Sequence, residues 1–275
     1  MAARRRDAIL RHMSSTQTQI GDHLRNWRQR RRLSQLELAG DAEISTRHLS
    51  FLETGRAQPS REMVLRLAEQ LDVPLRERNA MLIAAGFAPK FQERTLDHPS
   101  LKVARQAIDL VLAAHEPFPA LAIDRHWTMV ASNKAVAPLL GGIDAALLRP
   151  PVNVLRLSLH PQGLAPRIAN LAEWRGHLLA RLQHQVRATA DETLTALLDE
   201  LRRYPGHGAS AGRPAATRDY AGIVVPLELV TPAGTLAFFS TTTVFGTPVD
   251  VTLSELAVEA FFPADAATAE VLRRG

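Results

Sequence analysis

Residues 34–55 read SQLELAGDAEISTRHLSFLETG. Ser34 is a natural N-cap for one helix, with Leu36, Leu38 and Ala39 expected to face inward. A break follows at Ala42-Glu43. Ser45 then caps a second helix, which Gly55 closes. In this helix Leu49 and Leu52, three apart, belong to the packed side. Its opening turn, Ser45-Thr46-Arg47-His48, is polar and cationic instead. Two short helices joined by a tight turn fit a helix-turn-helix, in which one helix braces a phosphate backbone and the other enters the major groove.

Outward from this stretch the helical pattern continues. IGDHLRNWRQRRRL places Ile20, Leu24, Trp27 and Arg31 along one side of a preceding helix. SREMVLRLAEQL carries the stripe Met63, Val64, Leu67, Ala68 and Leu71, and Pro74 opens a fifth helix that ends at Gly86. Charge is concentrated here. Residues 1–60 contain 11 Arg and 6 acidic residues, a net of +5, whereas residues 61–275 balance 22 Lys and Arg against 22 acids. A basic module joined to a neutral body points to a nucleic-acid-binding part and a second part with another task. The chain has no cysteine, which excludes disulfides and thiolate chemistry and fits a cytoplasmic setting. It has no run of about 18 apolar residues, so no membrane-spanning helix is expected.

The residue types suggest roles within the motif. Gln35 opens the first helix of the pair and can offer its amide to phosphate. Thr46, Arg47 and Ser50 face away from Leu49 and Leu52. Arg suits bidentate contact with guanine, and Thr offers both a hydroxyl and a methyl. Ser45 and His48 complete the polar turn. Phe51 is a large apolar group in a polar row, to be packed inward or set against a thymine methyl. The run LRNWRQRRRLSQLELAGDAEISTRHLSFLETGRAQPSREMVLRLAEQLDVP resembles the phage-repressor-like helix-turn-helix family, XRE. The resemblance covers about 65 residues and is carried by Ser34-Gln35, Leu38-Ala39 and the ending Leu49-x-x-Leu52-Glu53-x-Gly55. It implies that Gln35 meets phosphate, that Thr46, Arg47 and Ser50 or Phe51 meet bases, and that Arg28 and Glu53 form a structural ion pair. Many relatives carry Gly where this chain has Glu43. A left-handed Glu43 would cost about 1 kcal/mol, so a differently shaped turn is expected.

Beyond a linker at 87–100 the pattern changes. LKVARQAIDLVLAAH is helical, and PALAIDRHWTMVASN reads as two short strands about a turn at Asp124-Arg125-His126. A helix is expected at Asn133–Leu140. Residues 164–203 form two helical pieces separated near Thr189. HGASAGRPAAT (207–217) is a turn-rich loop, and two β-branched runs meet in a hairpin at Thr231–Gly234. HWTMVASNKAV, NVLRLSLHP, LAEWRGHLLARL and ELAVEAFFPADAATAEVL resemble the ligand-binding domain of MmyB-like transcription regulators. That resemblance spans about 170 residues. It implies a PAS-like domain whose apolar cavity accepts small organic or fatty-acid-like ligands. Candidate pocket residues are Trp127, Trp174, Leu178, Phe238, Phe239 and Phe245. Phe238 and Phe239 must point to opposite faces of a strand, so only one of them can line a cavity. Arg156 and His160, four apart, are candidates for holding a carboxylate at the mouth.

No catalytic constellation emerges. His177 and His184 are two helical turns apart, with no cysteine to complete a metal site. Asp191-Glu192 and Asp199-Glu200 read as solvated helix surface. Self-cleavage at Ala85-Gly86 would need a Ser-Lys dyad with a lysine deep in the second domain; no lysine follows Lys134, and Ser100, at roughly suitable spacing from it, caps an expected helix. The expected fold is α+β: a basic arm (1–19), a five-helix helix-turn-helix domain (20–86), a linker (87–100) and a PAS-like domain with a small antiparallel sheet (101–275). The expected protein is a non-enzymatic, cytoplasmic, homodimeric transcription regulator without cofactor or metal. Its partners are a double-stranded DNA operator and a small apolar ligand. The alternative makes the second domain a ligand-free interaction or dimerisation module.

Overall fold

The computed structural model describes residues 19–205, 225–246, 248 and 250–274. Residues 1–18 of the expected arm and the loop expected at 207–217 lie outside the described residues. The chain divides between Glu93 and Arg94 into two compact units, taken here separately.

Among the described residues the first unit contains five helices: α1 (Ile20–Arg30), α2 (Gln35–Asp41), α3 (Thr46–Glu53), α4 (Arg61–Gln70) and α5 (Leu75–Ala84). Serine side chains start three of them. Ser34 forms a full capping box with Glu37, and the hydroxyls of Ser45 and Ser60 accept from the amides of His48 and Met63. All five helices stop in the same way. The amides of Leu33, Ile44, Arg56, Val73 and Phe87 reach back five residues to carbonyls in the last turn, at 2.8–3.1 Å. The residue before each is left-handed: Arg32, Glu43, Gly55, Asp72 and Gly86, with φ of 58, 54, 71, 45 and 84°. The turn at Glu43 therefore keeps the left-handed shape for which Gly is the usual residue, against the reshaped turn expected. The Ile44 bond to Ala39 and the partial burial of Ile44 in the core outweigh the strain at Glu43.

The core of this unit is built from Leu24, Leu38, Leu49, Leu52, Val64, Leu67, Leu71 and Met81, all fully buried. Leu36 does not join it. It is 72% exposed, because two residues along a helix is about 200° of rotation and Leu38 takes the inward position.

The second unit is α+β. Its described strands are β1 (Ala120–Ile123), β2 (Met129–Ser132), β3 (Leu227–Thr231), β4 (Gly234–Val244) and β5 (Ala257–Pro263). They form one antiparallel sheet in the order β2-β1-β5-β4-β3. The helices are α6 (Lys102–Ala114), α7 (Val154–Leu159), α8 (Leu171–Thr189), α9 (Glu192–Arg203), α10 (Val251–Ser254) and α11 (Ala266–Arg274). Strand alternation assigns the two faces. Leu121 and Ile123 of β1, Phe238 of β4 and Phe261 of β5 pack with α8 and α9. Ala120, Ala122 and Val258 turn the other way and pack with Ile108 and Leu112 of α6.

Two sequence expectations are corrected. The helix expected at Asn133–Leu140 is only a 3-10 turn at Ala137–Leu140. Asn133 is buried, and its side chain accepts from the Ala120 amide and donates to the carbonyls of Leu112 and Phe118, tying α6 to β1. The central strand β5 was not anticipated at all. Its AVEAFFP run puts a charged residue, Glu259, where an apolar one would signal a buried strand. Relieving the strain at Glu43 is measurable: Glu43→Gly is expected to raise stability by about 1 kcal/mol in equilibrium unfolding.

Candidate nucleic-acid interface and ligand cavity

The first unit is organised around one carboxylate. The Glu53 side chain, at the end of α3, has no exposed surface. Arg28 of α1 donates to both its oxygens, Nε to Oε1 at 2.6 Å and Nη2 to Oε2 at 2.9 Å. Gln35 Nε2 donates to Oε2 at 2.8 Å, and Arg25 Nη2 to the Glu53 carbonyl at 3.1 Å. The remaining Arg28 donor, Nη1, holds the Leu33 carbonyl at 2.9 Å. Burial alone would push the Glu53 carboxyl up. The hydrogen bonds from Arg28 and Gln35 and the charges of Arg28 and Arg25 outweigh it and hold the group below the usual glutamate range. Gly21 allows the close approach: a Cβ there would lie 2.7 Å from the carbonyl oxygens of Leu52 and Glu53. α1 is thus laid directly on the end of α3.

This arrangement decides which α3 residues are free. Leu49 and Leu52 are in the core, and Ser45 spends its hydroxyl on the cap. Arg47 is exposed, and Thr46, His48 and Ser50 are half-buried. Phe51 is half-buried, with the guanidinium of Arg47 5.3 Å and that of Arg56 5.9 Å from its ring centre. Gln35, expected on phosphate, has its amide engaged with Glu53, so its side-chain N–H faces the clamp.

The second unit encloses an apolar cavity of about 110 Å³ between the sheet and α8. Trp127, Trp174, Leu178 and Phe238 all line it, together with Leu139, Phe261 and the pair Arg181–Glu259. Trp127 has φ 65°, an uncommon value for an aromatic residue. Asp124 imposes it: its carboxylate accepts the amides of His126 and Thr128 at 2.8 Å, and its carbonyl accepts that of Trp127 at 3.0 Å. The indole is then fixed by an Nε1 bond to Gln185 at 2.8 Å and by the Arg181 guanidinium 4.6 Å from the ring centre. Arg181 Nη1 donates to Glu259 at 3.1 Å and Nη2 to Thr242 at 2.8 Å. His177 stacks on Trp174, and burial, followed by the Arg181 charge, pushes its pKa down.

Four expected pocket residues are elsewhere. Phe239 faces the other side of the sheet and stacks on Phe262. Phe245 lines a separate groove beside α6. Arg156 is bound to both oxygens of Glu200, at 2.8 and 2.7 Å, and His160 packs edge-on against Tyr204. The Arg156 fork thus already holds a carboxylate, and neither residue lines the cavity. Ser100, weighed for a cleavage dyad, bonds instead to His98 at 2.7 Å. Arg181 and Glu259 were missed by sequence reasoning. One signal existed: Arg181 and Gln185 interrupt the face marked by Trp174, Leu178 and Leu182 with polar groups at helical spacing.

Residues 104–274 match the family model described as MmyB-like transcription regulator ligand binding domain, and residues 19–81 match a helix-turn-helix domain. The chain belongs to the MmyB-like transcription regulator family. It is accordingly a DNA-binding transcription regulator with a ligand-binding domain. No curated protein matches it. Among solved structures it is similar to an RNA-binding light-oxygen-voltage receptor, with TM-score 0.25 and 14% identity over 99% of this chain and 66% of that one. The chain thus spans just under two thirds of that receptor's length, and a likeness so slight bears on neither fold nor ligand.

Removing Arg28 strands a buried charge, so Arg28→Ala is expected to cost about 3–5 kcal/mol in equilibrium unfolding, and Arg28→Met/Glu53→Met to recover most of it. Because the folded pKa of Glu53 is lowered, its contribution is present above the ordinary glutamate range and lost as pH falls through the lowered value. The wild type should therefore lose stability on acidification more steeply than Arg28→Met/Glu53→Met.

Proposed function

We propose that this regulator, in the cytoplasm, reads a specific DNA operator through Thr46, Arg47, Ser50 and Phe51, and that a small, uncharged apolar molecule in the second unit modulates that binding. The 110 Å³ cavity is the observation that carries the ligand reading. A ligand-free interaction module would be expected to fill such a space, since interiors leave few voids larger than water. A cavity of about 150 Å³ accepts benzene, so the fitting ligand is of ring size or a short chain. A long acyl chain would have to displace Leu139, the wall shared with an adjoining groove of about 490 Å³. The charged groups in the lining, Arg181 and Glu259, neutralise each other, which favours a hydroxyl or carbonyl over a carboxylate as the ligand's polar atom. His48 and the Gln35 backbone at the start of α2 are assigned to phosphate.

Occupancy would shift operator affinity by a coupling of about 1–3 kcal/mol. Among the described residues no helix is long and apolar enough to cross a membrane. Two experiments test the parts separately. Arg47→Ala should weaken specific binding more than non-specific binding, by about 1–3 kcal/mol; equal losses would place Arg47 on phosphate alone. Native mass spectrometry of the full chain from its expression host should show a small apolar adduct that Leu178→Trp, which fills the cavity, abolishes. An adduct-free wild type that also fails to take up benzene would refute the ligand reading.

A further inference from the structure

Phe51 is the largest apolar residue of α3, yet it takes no part in the core of the first unit, to which Leu49 and Leu52 belong. Its carbonyl accepts from the amides of Arg56 and Ala57 at 2.8 and 3.1 Å, which fixes the backbone behind the ring. The ring itself stays half-buried, with the guanidiniums of Arg47 and Arg56 5.3 and 5.9 Å from its centre. Among the described residues neither guanidinium has an ion pair or a hydrogen bond. A lone apolar side chain at a surface is ordinary. This one stands four residues from Arg47, on the same face of the same helix, and touches its guanidinium.

We propose that Phe51 reads the C5-methyl group of a pyrimidine one base step from the guanine that Arg47 contacts. The operator then carries a methylated pyrimidine beside that guanine, and 5-methylcytosine serves there as well as thymine. The proposal rests on α3 being the reading helix with Arg47 on a base edge, and adds what its neighbour recognises. A phenyl ring has neither donor nor acceptor, so it has nothing to offer a phosphate or a polar base edge. In the major groove the apolar group is the C5-methyl, and a phenylalanine ring is one of the side chains that packs on it. The separation of the two side chains sets the register: 5.3 Å is more than the rise of one base step, about 3.4 Å, and less than that of two. Arg47, forked toward O6 and N7 of a guanine, therefore leaves the ring over the adjoining base. Arg56 sets a second positive charge beside the ring, which draws this face toward the phosphates.

The test uses the full chain and a selected operator. The guanine read by Arg47 is located by 7-deazaguanine, which lacks the N7 acceptor: there the substitution should weaken the wild type about fivefold or more and leave Arg47→Ala unaffected. At the pyrimidines one step away, thymine is compared with uracil and 5-methylcytosine with cytosine, each opposite its complement. At one of them the wild type should bind the methylated base of each pair about fourfold more tightly, the worth of one buried methyl. Phe51→Ala should bind both members of each pair equally and keep its sensitivity to 7-deazaguanine, which shows that α3 is still in place. Equal wild-type binding to methylated and unmethylated bases at every such pyrimidine, with the 7-deazaguanine effect intact, would overturn the proposal and leave Arg47 a base reader. A methyl preference that persists in Phe51→Ala would overturn it too, by giving the methyl to another residue. No guanine at which 7-deazaguanine weakens the wild type would remove the reading by Arg47 and this proposal with it.

Discussion

The buried contact between Arg28 and Glu53 is the constraint on which the first unit depends. α3 is only eight residues long, too short to be stable or oriented alone. Its direction comes from what is fixed at its C-terminal end: the carboxylate of Glu53, which Arg28 and Gln35 hold, its carbonyl, which Arg25 holds, and the close approach of Gly21 to the carbonyls of Leu52 and Glu53. The first turn, carrying Thr46 and Arg47, is then presented without being used for packing. Such a pair adds little net stability over an apolar equivalent, yet it is costly to half-remove, and it supplies direction that apolar packing does not.

The second unit repeats the device for another purpose. The half-buried Arg181 and the buried Glu259 form an ion pair at the wall of the apolar cavity, and Arg181 also holds the ring of Trp127. The strained backbone of Trp127 is sustained by Asp124 on one side and by Gln185 on the other. One face of the cavity is therefore rigid. Leu139, which lines both the cavity and the larger groove, belongs to a 3-10 turn rather than a long helix. Trp127 and Arg181 also line a separate pocket beside the β1–β2 turn. Ligand size would be set by how far these walls yield.

What was legible in the sequence follows from how local each determinant is. Helix starts were readable because Ser34, Ser45 and Ser60 cap through their own neighbours, and the Arg28–Glu53 pair was reached through family resemblance. The shape of the turn at Glu43 was not, because the preference of Ile44 for the core is a tertiary effect that overrides a local strain. The same limit hid β5: Glu259 looks like surface until Arg181, 78 residues away, is brought to it. Arg156 was misassigned for the complementary reason, since nothing local reveals that Glu200 fills its fork. Trp127, Trp174, Leu178 and Phe238 could be named from their apolar bulk, but their convergence on one cavity depends on the sheet order.

The central claim is that the cavity and the reading face belong to one switch. It is tested most directly by titrating a selected operator with the full chain and with Leu178→Trp, whose indole occupies the cavity permanently. The account predicts operator affinities differing by about 5–150-fold, with binding to unrelated DNA unchanged. Identical operator affinities, with both proteins folded, would contradict it.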